Sequence, residues 1–367
     1  MNQIKNESKR SKISGVELLR FIFSVVILLG HACTSFATHK TPFGIIREGA
    51  IGVEFFFVLS GILMAKSVYK SGAGNDLKSI AEYTPKFIAK KYLTVLPTHM
   101  ISFVIIFAEL IWLEPLTKQM ALKKFTFSLP EFFLIHMSGV RLSIVNQNDW
   151  YISAMLFAML IICPVFLRYR ALYARVISPI LFLAIFGYLY QKTGTLTPSD
   201  TALAGGLFLK GTLRAVAEIS LGITVYEFTQ SLDKTELTRF GKIVLRFIEF
   251  MCYALTVFVS MTTIDKKWYF VFVFVLATGL AITFSRYSLS AKGFDKGIVR
   301  YLGELSMTVF ICQRAVLYPL EKLMLFKSYR FNTLALIIGT LALSVVIKAV
   351  VDYLTKRLFA KEIFVKK

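Results

Sequence analysis

The stretch that decides the fold is residues 13–36, which read ISGVELLRFIFSVVILLGHACTSF. It is apolar enough, and long enough as a helix, to cross the hydrocarbon core of a bilayer, roughly 30 Å thick. A basic tail, residues 1–12, precedes it, and Ser35-Phe36-Ala37 fits a signal-peptide cleavage site loosely. Signal peptides have apolar segments of about 7–15 residues. Because this stretch is longer and contains Arg20, we expect it to be retained as the first transmembrane span.

The rest of the chain repeats this pattern. Of its 367 residues, 56% are apolar and 18% are charged, whereas a soluble domain is usually about half apolar and a quarter charged. The surplus apolar surface belongs in lipid, so we predict an all-α, polytopic membrane helix bundle. The ten predicted spans are residues 13–36, 45–65, 92–113, 150–167, 173–190, 205–228, 243–264, 267–285, 299–320 and 333–355.

Ten spans leave no room for a separate soluble domain. We predict one domain over residues 1–367, with the helix bundle at 13–355 and a second short tail at 356–367. The longest predicted outer connection is 114–149, and its apolar stretch around Pro130 is typical of a re-entrant or interfacial helix. Any chemistry must therefore take place among the helices or in their connections.

The net charge of +21 is mostly a consequence of orientation. With a cytoplasmic N-terminus, the predicted inner segments carry 26 Lys and Arg residues and the outer segments carry 13. This excess satisfies the positive-inside rule, so both termini are predicted to be cytoplasmic. No soluble face combines clustered basic residues with exposed aromatics, which argues for a lipid bilayer and against nucleic acid as a partner. Away from the ends of the spans, four cations remain, namely Arg20, Arg214, Arg314 and Lys348.

The first span carries two ionisable side chains on one face. Arg20 and His31 are 11 residues apart, which returns to within about 20° of the same direction while rising roughly 16 Å along a helix. Ionisable groups inside a membrane are costly and usually functional. The alternatives are that Arg20 pairs with Glu17 or extends to the lipid surface, and that His31 is a packed histidine.

Glu54 enters the second span at the same predicted depth as His31. A carboxylate beside an imidazole holds its tautomer and raises its basicity, which is the support that a general base needs. Two partners for Glu54 stay open at this point, His31 and Arg47.

Further charged residues have both structural and functional interpretations. Arg214 and Glu218 lie one helical turn apart and can neutralise each other. Lys90 and Lys91 begin the third span, where they either anchor the helix at the inner surface or attract the phosphates of a soluble donor.

The remaining polar candidates are less informative. Trp150 and Tyr151 start the fourth span at the outer interface, where aromatic residues are common. His39, His99 and His136 have no partner in the sequence and are predicted to be structural or solvated. The cysteines lack metal-ligand spacing and no metalloprotease, P-loop or serine-elbow motif occurs, so no metal is expected.

Several of these residues belong to a set of motifs. Arg20 and His31 are separated by ten residues, and Gly52-Val-Glu54-Phe-Phe-Phe-Val-Leu-Ser60-Gly61 follows. These two motifs resemble the N-terminal signatures of the acyltransferase-3 family of bacterial integral-membrane O-acyltransferases. Further matches, in the expected order, are Lys90-Lys91 with Val95-Leu96-Pro97, Trp150-Tyr151, Arg214 with Glu218-Ile219-Ser220-Leu221-Gly222, and Tyr301-Leu302-Gly303-Glu304-Leu305-Ser306.

The sequence also departs from the family pattern. The basic segment has lysines where arginines are common. The other departures are Thr94 for an arginine, Met155 for a glutamate, Met307 for a tyrosine and Gln313 for a histidine. Because of these changes, we expect the charges at the donor site and the contacts with the acceptor to differ from those of better-known subgroups.

The resemblance implies transfer of an acyl group, usually acetyl from cytoplasmic acetyl-CoA, to a hydroxyl of an extracytoplasmic glycan or lipid-linked sugar. The protein would be a multi-pass protein of a bacterial cytoplasmic membrane. Arg20, Lys90 and Lys91 would bind the donor, and His31, supported by Glu54, would act as general base or transient acyl carrier. The residues expected on the substrate side are Trp150, Tyr151, Arg214, Glu218 and Arg314, with Arg214 or Arg314 stabilising the oxyanion.

An alternative function is export or flipping of a glycan or lipid without covalent chemistry. In that case the buried charges would line a pathway through the bundle. The sequence specifies neither the acceptor sugar nor the oligomeric state, and a homo-oligomer stays open.

Overall fold

The computed structural model describes residues 2–36, 49–140, 143–262, 266–289, 297–323, 325 and 328–359. Within these ranges 83% of the residues are helical, which confirms the all-α fold class. The helices are α1 (Asn2–Phe36), α2 (Ile51–Ser71), α3 (Leu77–Leu113), α4 (Lys118–Phe127), α5 (Leu129–Phe132), α6 (Trp150–Arg168), α7 (Arg170–Leu172), α8 (Ser178–Thr193), α9 (Lys210–Leu232), α10 (Arg239–Ser260), α11 (Tyr269–Phe284), α12 (Gly297–Leu323) and α13 (Tyr329–Phe359).

The long helices account for all ten predicted spans. Seven described segments are long and apolar enough to cross a membrane: Gly15–Phe36, Ile51–Ser71, Leu77–Leu113, Trp150–Arg168, Arg170–Thr193, Arg239–Ser260 and Tyr329–Arg357. The other three predicted spans fall on α11, which is apolar but has 16 residues, and on α9 and α12, which carry charged residues within their length. The chain is therefore a multi-pass membrane protein.

The predicted start of the third span, residue 92, is wrong. α3 begins at Leu77, where the Asp76 side chain caps the helix by accepting a hydrogen bond from the Ser79 amide at 3.0 Å. Capping of this kind stabilises a helix start independently of hydropathy. The first turns of α3 are polar, so a search for apolar stretches cannot find them.

The predicted start of the sixth span, residue 205, is also wrong. A short hairpin of β1 (Ala202–Leu203) and β2 (Phe208–Leu209) precedes α9. Its turn contains Gly205 and Gly206, whose φ angles are +70° and +90°. Only glycine adopts such angles readily, so the Gly-Gly pair forces a turn where hydropathy alone suggests a helix.

Helices α1 and α12 pack side by side and run in the same direction. Gly303 lies directly against Glu17 near one end, and Glu321 accepts a hydrogen bond from Ser35 near the other. Both contacts advance by the same number of residues along the two helices, so residues 17–35 of α1 follow α12. Polar residues of α12 consequently lie beside the face of α1 that carries Arg20 and His31.

Helices α2 and α9 approach each other closely at two glycines. A Cβ atom added to Gly61 would lie 2.1 Å from the Ile219 carbonyl oxygen, and one added to Gly222 would lie 2.2 Å from that of Val58. Small residues at such positions let helix backbones come together in a membrane. This contact lies next to the buried charges of the two helices.

The segment before α6 folds back into the bundle. It contains α4, α5 and a 3-10 turn at His136–Ser138. Glu131, His136 and Met137 are buried, so the predicted outer connection includes a packed re-entrant part.

Candidate active site

A cavity of about 250 Å³, called here the inner cavity, lies between α1, α2, α3, α6 and α12. Arg20 and Lys91 both line it, together with Ser60 and Tyr151. Arg20 Nη1 also donates to Glu17 Oε2 at 2.6 Å. Arg20 therefore forms the predicted ion pair with Glu17 and lines the cavity as well. The cavity therefore has a cationic end, suited to an anionic ligand.

The two lysines at the start of the predicted third span differ. Lys91 is half-buried and lines the inner cavity, whereas Lys90 is exposed and does not. Adjacent residues on a helix point about 100° apart, so only one of the pair can face the cavity. The structure thus brings Arg20 and Lys91 together and leaves Lys90 on the surface.

Tyr151 is buried and lines the inner cavity. Its hydroxyl lies 3.1 Å from Ser60 Oγ and 3.5 Å from Met155 Sδ. Met155 and Met307, both departures from the family pattern, also line this cavity. The cavity is therefore mostly apolar away from its cationic end.

His31 belongs to a group of polar side chains at the other end of α1, called here the outer cluster: His31, Ser35, Arg314 and Glu321. Arg314 Nη1 donates to Glu321 Oε2 at 2.9 Å. Ser35 Oγ donates to Glu321 Oε1. Arg314 and Glu321 are charged groups that act electrostatically on His31. The outer cluster is only partly buried, with Arg314 13% and Glu321 27% exposed.

The predicted pairing of Glu54 with His31 is wrong. Glu54 is fully buried, and its Oε1 accepts a hydrogen bond from Arg214 Nη2 at 2.7 Å. Its other predicted partner, Arg47, lies outside the described residues. The close contact of α2 with α9 turns Glu54 toward Arg214. The carboxylate that interacts electrostatically with His31 is that of Glu321.

Glu54, Arg214 and Glu218 form a second group, called here the core ion cluster. Arg214 Nε lies 3.6 Å from Glu218 Oε1, which agrees with the predicted neutralisation within α9. Arg214 Nη1 donates to the Leu196 carbonyl at 2.9 Å, and its guanidinium lies 5.3 Å from the Trp150 ring centre. All three charged side chains are at most 1% exposed. This arginine is thus enclosed by the protein.

The sequence analysis missed a third polar group, called here the Asp149 cluster: His99, Glu131, His136 and Asp149. Its side chains are essentially inaccessible to solvent. His99 Nδ1 lies 3.4 Å from Asp149 Oδ2, and His136 Nε2 lies 3.5 Å from Asp149 Oδ1. His99 Nε2 also lies 3.1 Å from the Glu131 carbonyl oxygen. The prediction that His99 lacks a partner is therefore wrong.

Glu131 and Asp149 are linked to the backbone around them. Glu131 accepts hydrogen bonds from the Val145 and Asn146 amides, each at 2.6 Å. Burial, together with the neighbouring Glu131 carboxyl, raises the pKa of Asp149 well above its usual range. No short motif links these four residues, because they come from α3, the re-entrant part and the residue before α6. The only signal in the sequence is the placement of Asp149 immediately before the Trp150-Tyr151 pair.

The described parts of the chain show no three His, Cys, Asp or Glu side chains arranged as metal ligands. The cationic end of the inner cavity is the feature that fits a phosphate-bearing donor, since Arg20 and Lys91 offer fixed positive charges beside an apolar space.

Together, these features define a polytopic membrane protein with ionisable side chains at both ends of one helix. The chain belongs to the acyltransferase-3 family: the model of that family, described as an acyltransferase domain, matches residues 13–349, nearly the whole chain. This confirms the resemblance identified from the motifs, and with it acyl transfer as the general activity. No curated protein and no solved structure matches the chain.

Proposed function

We propose that the protein transfers an acetyl group from cytoplasmic acetyl-CoA to a hydroxyl of an extracytoplasmic glycan or lipid-linked sugar, in the cytoplasmic membrane of a bacterium. The observation that supports this most is the division of α1. Arg20 lines the inner cavity at one end, and His31 lies in the outer cluster roughly 16 Å further along the same face. An extended donor that enters from the cytoplasm can contact both ends.

Donor binding is assigned to the cationic end of the inner cavity. Arg20 and Lys91 face the cavity, and the exposed Lys90 precedes Lys91 on the same helix. Guanidinium and ammonium groups bind phosphates through charge-assisted hydrogen bonds. The apolar remainder of the cavity, which includes Phe56 and Phe310, suits the uncharged arm of the donor.

The chemical step is assigned to the outer cluster. His31 accepts the proton of the acceptor hydroxyl while that oxygen attacks the thioester carbonyl. Arg314 donates to the oxyanion that forms, and its Nε is a buried donor with no hydrogen-bond partner among the described residues. The carbon–sulfur bond then breaks, and the proton passes from His31 to the leaving thiolate. Glu321 holds Arg314 and offsets the charge of the imidazolium.

Arg214 and Glu54 have no direct role in this scheme. Both are enclosed in the core ion cluster, and Arg214 uses its donors on Glu54 and on the Leu196 carbonyl. Two arginines were expected to stabilise the oxyanion. Arg314 is the better candidate, because its side chain is partly exposed.

The proposal is tested in a deletion strain complemented with wild-type or variant protein. Surface glycans and lipid-linked sugars are treated with mild alkali, and the released acetate is quantified. We expect wild-type protein to restore the acetate and His31→Ala to lower it by roughly 10²- to 10⁴-fold, the usual contribution of a general base. Thr34→Ala is the matched control, because Thr34 lies on the exposed face of the same helix end.

Membrane levels of each variant are compared by immunoblot. Full acetate release from His31→Ala cells would overturn the assignment of His31. Unmodified polymer trapped inside deletion cells, with no change in acetate, would favour export instead.

A further inference from the structure

A second cavity, called here the outer pocket, lies between residues 136–137, residues 144–150 and the loop 197–200. Its volume is about 420 Å³, within the range of about 300–1,000 Å³ typical of small-molecule sites. Both segments belong to predicted outer connections. The pocket is separate from the outer cluster and from the inner cavity, and none of the roles assigned above uses it.

Asp149 lies at the buried side of the outer pocket. Its side chain is fully buried beside the Glu131 carboxyl, and neither carboxylate oxygen accepts a hydrogen bond of normal length and angle from a described donor. The nearest nitrogens are those of His99 and His136, at 3.4 and 3.5 Å, longer than a normal N–H···O hydrogen bond. A buried polar group in this condition costs free energy unless a ligand or water satisfies it. Asp149 therefore points to a ligand that brings hydrogen-bonding groups into the pocket.

The walls of the outer pocket indicate the class of ligand. Trp150 offers an aromatic face, and Thr197 and Ser199 offer hydroxyls. The described residues that line the pocket include no Lys or Arg, and Asp200 adds a second carboxylate. This lining disfavours phosphate or carboxylate groups. It favours a neutral molecule with several hydroxyls and an apolar face, which is the chemistry of a sugar ring.

The outer pocket lies close to both the inner cavity and the outer cluster. Trp150 lines the outer pocket, and the next residue, Tyr151, lines the inner cavity. Asn146, another lining residue, donates to the carbonyl of Ile311 at 3.1 Å, three residues before Arg314 on α12. The first turn of α6 thus separates the two spaces, and α12 joins the pocket to the outer cluster.

We infer that the outer pocket is the acceptor subsite and binds one neutral sugar unit, with Asp149 accepting hydrogen bonds from its hydroxyls and Trp150 packing against its apolar face. This inference rests on the proposed function, because it supplies the hydroxyl that receives the acyl group. A charged part of the acceptor, such as the pyrophosphate of a lipid-linked sugar, lies outside this pocket.

Sugar binding is tested without any acyl transfer by using Trp150 as a probe. The chain has three tryptophans, and Trp112 and Trp268 are 76% and 56% exposed. A protein with Trp112→Phe and Trp268→Phe keeps Trp150 as its only tryptophan. The purified full-length protein in nanodiscs is titrated with methyl hexosides and N-acetylhexosamines, and with a hexose 6-phosphate and a hexuronate as charged counterparts.

We expect a saturable change in Trp150 emission with at least one neutral sugar and a clearly weaker response to its charged counterpart. Asp149→Asn, which keeps the size of the side chain, should weaken that binding about tenfold or more, because it replaces one of the two acceptor oxygens with an amide NH₂ group. Ser199→Phe on the pocket rim should block binding without altering the Asp149 cluster. Glu236→Gln, on an exposed side chain far along the chain, is the control.

The outcomes separate this inference from the proposed function. Saturable sugar binding that persists in His31→Ala, together with loss of acetate in cells, supports both. Absence of saturable binding by every sugar in the panel, or equal binding by wild-type and Asp149→Asn protein, overturns the acceptor subsite even if acyl transfer is intact. Normal sugar binding without any His31-dependent acetylation overturns the proposed function, but it still supports the outer pocket as a sugar-binding site.

Discussion

The outer cluster and the core ion cluster are built from the same residue types in different surroundings. Each pairs an arginine with a glutamate at short distance, 2.9 Å for Arg314 with Glu321 and 2.7 Å for Arg214 with Glu54. The Nε of each arginine lacks a hydrogen-bond partner among the described residues, but Arg214 is 1% exposed whereas Arg314 is 13% exposed. An intramembrane charge is therefore not sufficient evidence of a catalytic role. The exposure of the side chain decides which arginine can meet a substrate.

The largest expected effect is on stability, in the core ion cluster. Arg214→Met leaves Glu54 and Glu218 buried together without a cation, and breaking a buried ion pair in this way costs about 3–5 kcal/mol. We expect a correspondingly lower free energy of unfolding, measured by denaturation of the purified protein in mixed micelles. Adding Glu54→Gln and Glu218→Gln to Arg214→Met should restore much of it. If Arg214→Met is as stable as wild type, the structural role of this cluster is wrong.

The matched change in the outer cluster should act on activity instead. Arg314→Gln removes the proposed oxyanion donor, and loss of such a donor lowers kcat by about 10²- to 10³-fold. Its unfolding free energy should change by only about 1 kcal/mol, because Arg314 and Glu321 are partly solvated. Acetate release measures the loss of activity, and mixed-micelle denaturation of the same preparations measures the change in unfolding free energy. A loss of stability equal to that of Arg214→Met would remove the distinction between the clusters.

A smaller effect is expected where α2 and α9 touch. Gly61→Ala places a methyl group against the Ile219 carbonyl, and overpacking of this kind costs typically about 1–3 kcal/mol. Gly187→Ala is the control, since an added Cβ there meets no atom within 4 Å. Thermal unfolding in detergent should show a lower midpoint for Gly61→Ala alone. Equal midpoints for the two variants would contradict the close approach.

The smallest effect concerns the donor. Lys91→Gln should raise the KM for acetyl-CoA by up to about fivefold, the value of one partly solvated charge contact of roughly 1 kcal/mol. Lys90→Gln should change it less, because Lys90 does not line the inner cavity. Initial rates in proteoliposomes at varied acetyl-CoA concentration measure both. A larger effect from Lys90 would reverse the assignment of the two lysines.

Much of the fold was predictable, because each span is a local property. Hydropathy located all ten helices, and a cap and a Gly-Gly turn set two of the boundaries that it did not locate. The site was predictable in part. Arg20 and His31 follow from helix geometry within one span, whereas the partner of Glu54 is Arg214, which is 160 residues away in sequence. The Asp149 cluster was missed because its members come from three separate segments.

The sequence by itself determined that the chain crosses a membrane many times and that Arg20 and His31 share a helix face. Both follow from local terms, the transfer of apolar side chains to lipid and the 3.6-residue turn of the helix. Only the tertiary structure decided that Glu54 meets Arg214, that Glu321 holds Arg314 beside His31, and that Asp149 faces the outer pocket. Such pairings depend on how each helix is rotated and which helix is its neighbour. These are set by the packing of the whole bundle, including the Gly61–Gly222 contact.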